Sequence, residues 1–494
     1  MLATNTSANG GKSILLNPGG PGGSGISSLW ASGERLNKII GEGFHLLSFD
    51  PRGVNGSIPQ ALCYASTGQR SEQTETNPWN LEFEAGEMFT RAENKGKACT
   101  DIMGEHGAYV DTPQTAADMN SILDAIGQEE MYYWGFSYGT TLGQTYAQMF
   151  PDRVGRLVID GVINLDEWYN AFFFQEWLTD TDNVYAGFFR ECFKAKENCA
   201  LNSIKDTPFA SAADLQSHVD DFLLRLEEEP IPVYLTNSNY GAITRIKIVL
   251  NAIFPALYRP SPQWPTLAKN LAELLKGNAT PAFNAYSETW FANFTVDDTN
   301  TFVMANDCWK AGKGAPVHGV KPIQNFTLSL PQDSRLISRY QGSDVYGRAS
   351  WPITTTHKFH PRYHPEYPKV KTAFPILVLS TTYDPVCPLA SAKKAHNSFE
   401  GAGLVEQKSY GHCTMSMPSL CKAKHVKSYF YEGKLPEDGT TCEIDTEYFP
   451  AQEKSAFSEL KFLDRGDAEL LVSLQELASA ELIKHHPFLR GPYI

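Results

Sequence analysis

The segment 131–150 constrains the fold of this chain more than any other part of the sequence. It consists of an apolar strand, Met131–Trp134, a Gly-x-Ser-x-Gly turn centred on Ser137, and a helical stretch, Thr140–Phe150, that Pro151 ends. A serine at such a strand-to-helix turn holds its hydroxyl out from the sheet edge, next to a helix N-terminus. We therefore predict that Ser137 is a nucleophile. The alternative is an ordinary turn whose serine caps the helix.

Short apolar runs alternate with helical segments on both sides of this turn. Further strands are predicted at Ser13–Leu16, Phe44–Phe49, Leu157–Ile159, Pro375–Ser380 and Leu404–Ser409, and a helix is predicted at Thr115–Ile126. Strands that alternate with helices indicate a mostly parallel sheet with helices on both faces. The predicted fold class is therefore α/β, of the α/β-hydrolase type.

The pattern changes between residues 166 and 346. This part contains mostly helical segments rich in aromatic residues, with amphipathic stretches at Ala212–Leu226 and Leu267–Leu275 and no clear run of core strands. We expect a helical cap inserted into the sheet domain. The expected divisions are residues 1–165 for the first part of the core, 166–346 for the cap, and 347–494 for the second part of the core.

A serine hydroxyl is a poor nucleophile without a base, and the order in this type of fold is serine, acid, histidine. His412 follows the last predicted strand and Asp384 follows the strand before it, so both fall on the same sheet edge as Ser137. The alternatives are a structural histidine, one of 12 in the chain, and a turn aspartate before proline. The joint placement favours a triad in which Asp384 fixes the imidazole tautomer.

The glycine-rich loop after the first strand, residues 17–25, has the composition needed to bring backbone close to a substrate. An oxyanion hole needs two N–H donors, which we assign to Tyr138, next to the nucleophile, and to Gly20 in this loop. The alternative, a phosphate-binding loop, fits poorly because the Lys-Ser/Thr ending is missing.

The charge balance argues against some partners. A net charge of -14, from 42 basic and 56 acidic residues, would repel nucleic acids and anionic membranes. No stretch approaches the roughly 20 consecutive apolar residues of a membrane span. Residues 1–11 lack the apolar run of a signal peptide, so we expect either an intracellular protein or a missing N-terminus. No cofactor and no metal site is expected.

The 9 cysteines include three local pairs, Cys63 with Cys99, Cys192 with Cys199, and Cys421 with Cys442. Three such pairs are typical of an extracellular protein. Glycosylation sequons at Asn5, Asn55, Asn278, Asn293 and Asn325 agree with this location but also arise by chance. The remaining Cys308, Cys387 and Cys413 are predicted to be buried free thiols.

These motifs together resemble the tripeptidyl aminopeptidase-like branch of the prolyl aminopeptidase family, of the fungal type. The resemblance rests on Asn17–Gly25, Asp50–Gly53, Tyr133–Thr140, Gln144–Asp152, Asp384–Ala390, Gly411–His412 and Cys421–Cys442. The loop resembles the family's His-Gly-Gly-Pro-Gly element, with Pro18 in place of the histidine, and the tail between Cys421 and Cys442 resembles the branch's C-terminal module. The resemblance implies a secreted enzyme that releases short peptides from a free N-terminus, and it supports the three cysteine pairs as disulfides. Fungal relatives also include hydrolases of secondary metabolism.

An aminopeptidase should bind the substrate's ammonium group with carboxylates of the cap. The candidates are Glu176, Asp166, Glu167 and Asp307, and the alternative for each is an ordinary surface or capping acid. Three functions stay open at this point. They are an exopeptidase with an acyl-enzyme on Ser137, an esterase, lactonase or amide hydrolase for a small metabolite, and a non-catalytic relative. The expected partner is accordingly a peptide or a small ester or amide.

Overall fold

The structure, a computed structural model, describes most of the chain. The described residues are 1–2, 11–73, 83–172, 175–287, 298–308, 315–330, 334–338, 342–362, 365–451 and 463–479. Among these residues, every helix is too short or too polar to cross a bilayer.

The centre of the fold is a 7-stranded sheet in the order β2-β1-β3-β4-β7-β8-β9, in which all neighbouring strands pair in parallel. Its strands are β1 (Ser13–Asn17), β2 (His45–Ser48), β3 (Met131–Phe136), β4 (Val154–Asp160), β7 (Leu377–Tyr383), β8 (Gly403–Tyr410) and β9 (Thr441–Cys442). The predicted α/β-hydrolase type of sheet is therefore confirmed.

A separate two-stranded antiparallel ribbon, β5 (Ile231–Thr236) with β6 (Asn239–Ile243), follows β4 and precedes β7 in the chain. The sequence showed no clear run of core strands in this part of the chain, and this exposed ribbon was not predicted. The ribbon is largely exposed, so its residues lack the continuous apolar run that marks a core strand.

The helices fall before, between and after these strands. Those that precede β5 are α1 (Gly25–Ile40), α2 (Thr67–Gln73), α3 (Ala85–Met103), α4 (Thr112–Ala125), α5 (Tyr138–Met149), α6 (Leu165–Asn170), α7 (Thr181–Lys194) and α8 (Ala212–Glu228). Those between β6 and β7 are α9 (Arg245–Lys247), α10 (Phe254–Tyr258), α11 (Pro260–Leu275), α12 (Thr280–Tyr286), α13 (Thr299–Asp307), α14 (Val320–Ser329) and α15 (Gly342–Ala349), with a π-helical turn at Ile248–Ile253. The last ones are α16 (Leu389–Ser398), α17 (Leu420–Glu432) and α18 (Arg465–Ser479).

Helices cover both faces of the sheet, as predicted. Alternate residues of one strand point to opposite faces, so Leu15 of β1 joins the core formed with α4, α5 and α16. Its neighbours Ile14 and Leu16 join the core formed with α1, α17 and α18. All six residues of β3 are buried. A strand covered on both faces reads as a continuous apolar run, which is why the sequence showed it clearly.

The helices between β4 and β7 have a hydrophobic core of their own, which includes Phe188, Trp264 and Leu271. The same core extends to Cys387 and Met417, on the loops that follow β7 and β8. We propose on this basis that the chain divides into a core and an inserted cap near the expected boundaries. The cap thereby packs on the loops that carry Asp384 and His412.

Three disulfides are present, Cys63–Cys99, Cys192–Cys199 and Cys421–Cys442, and they confirm the predicted pairs. Cys308, Cys387 and Cys413 are free and buried, as predicted. Structural disulfides form and persist in oxidising compartments. The cysteine pattern therefore favours an extracellular location.

Candidate active site

Ser137 occupies the turn between β3 and α5 with φ 55° and ψ -124°, a conformation that non-glycine residues rarely adopt. Its N–H donates to the carbonyl oxygen of Asp160 at 3.0 Å, and its own carbonyl accepts from the N–H and hydroxyl of Thr140. Strained backbone of this kind persists only where its surroundings hold it, and it concentrates at functional sites. Hydrogen bonds to the end of β4 and to the first turn of α5 therefore hold the Ser137 turn in this conformation.

Asp384 and His412 form a hydrogen-bonded pair. His412 Nδ1 lies 2.9 Å from both carboxylate oxygens of Asp384. The carboxylate is fully buried and also accepts the N–H groups of Val386, Cys387 and Cys413. These donors fix its orientation. A carboxylate oxygen accepts hydrogen bonds, so Nδ1 of His412 is the donor to Asp384. The other ring nitrogen, Nε2, is then left with the lone pair that a general base needs.

The Ser137 hydroxyl contacts the Cys387 thiol, on the loop that carries Asp384. Burial raises the pKa of this thiol well above its usual range, and the Asp384 charge raises it further. Cys387 is therefore a neutral neighbour of the serine. Within the described part of the chain, no hydrogen bond joins Ser137 to His412. Catalytic hydrogen bonds of this type often tighten only in the substrate complex.

Asp160, the last residue of β4, joins the serine turn to the histidine loop, a role that the sequence analysis missed. Its carbonyl oxygen accepts the Ser137 N–H and, at 3.3 Å, the Cys413 thiol. Its carboxylate accepts the Thr414 N–H and hydroxyl, each at 2.7 Å. Burial raises the pKa of Asp160, while the nearby Lys422 ammonium lowers it. A polar residue at the end of a buried strand was the available signal.

The glycine loop packs directly against the serine turn. Gly19 has φ +94°, and a Cβ placed there would lie 2.4 Å from Phe136 O and 2.8 Å from Ser137 Cβ. Only glycine allows backbone to approach this closely. The Gly19 N–H donates to Asn17 Oδ1 at 3.0 Å and is thus engaged inside the loop. The next residue, Gly20, and the first residue of α5, Tyr138, remain the proposed oxyanion donors.

The side chain of Tyr138 is anchored to a buried carboxylate. Its hydroxyl lies 2.6 Å from Thr112 Oγ1, and Thr112 donates its N–H and hydroxyl to Asp307. Trp168 Nε1 also donates to Asp307, at 2.8 Å. Burial, with a contribution from the Asp111 charge, raises the pKa of Asp307 to about 7. Asp307 therefore supports Tyr138, the residue that follows Ser137.

The other cap acids named above also have protein partners. Glu176 Oε2 accepts from Lys394 Nζ at 2.9 Å and from Asn164 Nδ2 at 2.7 Å. Glu167 Oε2 accepts two backbone N–H groups, and burial raises its pKa. Asp166 Oδ1 accepts from Asn170 Nδ2 at 2.7 Å. Their role as ammonium ligands stays a proposal.

In the part of the chain that the structure describes, two groups of side chains have ligand atoms close enough to hold a metal ion, all within 4.8 Å of one another. One group is Asp384, His412 and Cys413, which includes the bonded acid–base pair. The other is Cys421, His425 and Cys442, whose two cysteines form a disulfide. In the first group the atoms of Asp384 and His412 are hydrogen-bonded to each other, and in the second group the two sulfurs are joined in a disulfide, so neither group is assigned a metal.

Comparison with known families identifies two segments. Residues 12–210 match the family described as alpha/beta hydrolase fold, and residues 334–442 match the family described as TAP-like protein. The first segment contains Ser137, and the second contains Asp384 and His412.

Relatives of the chain include peptidases and an esterase. The serine protease Hip1 of Mycobacterium tuberculosis is 26% identical over 440 residues, which cover 87% of this chain and 80% of that protein. The tripeptidyl aminopeptidase of Streptomyces lividans is 23% identical over 453 residues, covering 87% and 76%. Carboxylesterase B of Mycobacterium tuberculosis is 25% identical over 454 residues, covering 87% and 79%.

Among solved structures, MGS-M2, an alpha/beta hydrolase from a deep-sea metagenome library, aligns with a TM-score of 0.34 at 11% identity, covering 87% of this chain and 92% of that one. That score is too low to support an argument. The parallel sheet and the two matched segments show the fold: this chain has the α/β-hydrolase fold, and residues 334–442 in its second half are similar to the family described as TAP-like protein.

Proposed function

We propose that the chain is a serine hydrolase in which Ser137, His412 and Asp384 form a catalytic triad. The observation that carries the proposal is the buried Asp384–His412 pair, on the same sheet edge as a serine in strained backbone. Ser137 Oγ attacks the substrate carbonyl while His412 Nε2 takes the hydroxyl proton. His412 then gives that proton to the leaving group, and water releases the acyl group from Ser137 by the reverse steps. The N–H groups of Tyr138 and Gly20 stabilise the oxyanion.

The substrate that we propose first is a peptide with a free N-terminus, cleaved near that end. The support comes from the matches to a tripeptidyl aminopeptidase and a serine protease and from the TAP-like segment. The three disulfides support a secreted enzyme. In this proposal, cap carboxylates bind the substrate's ammonium group, with Glu176, Asp166, Glu167 and Asp307 as the candidates.

A second candidate is an esterase, lactonase or amide hydrolase that acts on a small metabolite. The observation in its favour is that the candidate acids already have partners within the protein. Glu176 is already paired with Lys394, and Asp307 already accepts from Thr112 and Trp168. An ammonium ligand needs an uncompensated carboxylate, and these two have their charge partners or donors inside the protein. The carboxylesterase relative agrees with this alternative.

A substrate panel separates the two candidates. The purified protein is assayed with chromogenic aminoacyl amides and tripeptidyl amides that have a free N-terminus, alongside short acyl esters. The aminopeptidase proposal expects turnover of the amides, with the tripeptidyl compounds preferred. Turnover of esters alone would support the second candidate. Absence of turnover together with absence of fluorophosphonate labelling would leave a non-catalytic relative.

A further inference from the structure

A segment of the cap, residues 258–260, contacts the loop that carries His412. Tyr258 ends α10, Arg259 follows with non-helical φ -132° and ψ 78°, and Pro260 begins α11. The backbone N–H of His412 donates to the carbonyl oxygen of Tyr258 at 3.0 Å. The backbone N–H of the proposed base is therefore hydrogen-bonded to the cap. The N–H of the preceding Gly411 is hydrogen-bonded instead to the carbonyl oxygen of Tyr383 in the core sheet.

The ring of Tyr258 contacts the imidazole itself. The two ring centroids lie 5.0 Å apart with an angle of 72° between the planes, an edge-to-face arrangement. Asp384 bonds Nδ1 of the same imidazole. With these two neighbours the His412 side chain is only 11% exposed. The rotation of the imidazole about its side-chain torsions is thus limited by one residue of the core and one residue of the cap.

Arg259 and Pro260 contact opposite ends of the loop that carries His412, at Met415 and Gly411. The guanidinium of Arg259 donates to the carbonyl oxygen of Met415 at 3.5 Å and to that of Leu477 at 3.4 Å. Leu477 lies in the last turn of α18, where carbonyl groups lack intrahelical partners and a cation is favourable. At the other end, a Cβ on Gly411 would lie 2.7 Å from Pro260 Cδ. The cap segment, the histidine loop and the C-terminal helix α18 therefore meet at these residues.

We propose that residues 258–260 form a clamp that sets the position of His412 relative to Ser137. Tyr258 and Arg259 are positioning residues, because they act through His412 and its loop. The proposal rests on the proposed function in one respect, that His412 is the base. A displacement of a catalytic group by about 1 Å costs on the order of a hundredfold in rate, so loosening this clamp lowers catalysis without removing any triad member.

The test compares Tyr258→Ala, Tyr258→Phe and Arg259→Met with the wild-type protein. Arg245→Met is the matched control, since Arg245 is a cap arginine of similar burial whose ion pair is with Glu227, at 3.2 Å. Two quantities are measured, kcat and KM on the best substrate of the panel, and the second-order rate constant of fluorophosphonate inactivation. We expect Tyr258→Ala and Arg259→Met to lower kcat and the inactivation rate about tenfold or more, with KM within about twofold. Tyr258→Phe keeps the ring and should retain most of both rates.

Other outcomes overturn the clamp. A raised KM with unchanged kcat and unchanged inactivation rate would place residues 258–260 in substrate binding. Equal rates in all variants would show that the contacts do not position the base. If Tyr258→Ala fails to fold, Tyr258→Leu keeps apolar volume and makes the same test. The inactivation rate does not depend on the substrate class, so a wild type that fails to react at Ser137 contradicts the proposed function itself. A reactive wild type with equally reactive variants contradicts the clamp alone.

Discussion

The Ser137 N–H donates to the carbonyl oxygen of Asp160 at 3.0 Å, and the Asp160 carboxylate holds the histidine loop through Thr414. One residue at the end of β4 therefore fixes both the serine turn and the loop of the proposed base. Buried carboxylates that accept several hydrogen bonds hold their donors in one geometry, and removing an acceptor leaves a buried donor unpaired. The proposed triad thus depends on a residue that is not one of its members.

Asp160→Asn tests that dependence. An amide accepts only through its oxygen, so one of the two Thr414 donors loses its partner. We expect the free energy of unfolding to fall by about 1–3 kcal/mol and kcat to fall more than KM changes. Denaturant unfolding and steady-state kinetics give the two values, with the exposed Asp152→Asn as control. A variant that loses stability but keeps full kcat would restrict Asp160 to a structural role.

Ser137→Ala should abolish hydrolysis and leave the fold intact, because it removes the nucleophile and keeps the backbone. We expect a loss of kcat of about a thousandfold or more. A fluorophosphonate probe should label the wild type at Ser137 and leave the variant unlabelled, as read by mass spectrometry of the intact protein. Ser121→Ala, on α4 away from the serine turn, serves as control. Turnover near the wild-type value in Ser137→Ala would exclude the triad.

Asp307 should make the stability of the fold depend on pH. Its pKa is raised from 3.8 to about 7, so its contribution is fully present below the unfolded-state value and is lost as the pH rises through the folded-state value. Asp307→Asn removes this titration. We therefore expect the Tm of the wild type minus the Tm of the variant to be more positive at about pH 5 than at about pH 8. Parallel Tm curves across this range would show that Asp307 does not titrate there.

A disulfide that closes a longer loop should stabilise the fold more than one that closes a shorter loop. Cys63–Cys99 has a sequence separation of 36 and Cys192–Cys199 one of 7. The loop-entropy relation gives about 4 kcal/mol for the longer loop and about 2 kcal/mol for the shorter one. Denaturant unfolding of the two paired Cys→Ser variants measures these losses. Peptide mapping under non-reducing conditions checks the pairs in native protein, and free thiols at these positions would argue against secretion.

Substrate specificity should depend on the charge of the N-terminus if the enzyme is an aminopeptidase. A carboxylate left without its ammonium partner in a partly buried site costs a few kcal/mol. N-acetylation of a tripeptidyl amide should therefore lower kcat/KM by about a hundredfold or more. The comparison uses free and acetylated forms of one peptide, with simple esters alongside. Equal rates for both peptides would leave the general hydrolase as the surviving proposal.

The sequence by itself determined the parallel type of the sheet and six of its seven strands, the two layers of helices and the order of the three proposed catalytic residues, but not the two-residue edge strand β9. These features are local, since β3 is a continuous apolar run and Ser137 lies in a turn with its own sequence signature. The three cysteine pairs were also local in spacing, and the disulfides agree with them. Patterns within single short segments carried the strand and turn predictions.

Only the tertiary structure decided what the polar residues around the site do. Asp160 contacts both the serine turn and the histidine loop because β4 lies between β3 and β7 in the sheet, and Tyr258 contacts His412 although the two are far apart in the chain. Asp307 was named as a candidate ligand, yet its oxygens accept from Thr112 and Trp168, which are distant in the chain. The partner of a buried polar group is set by long-range packing, and the composition of a short segment does not contain that information.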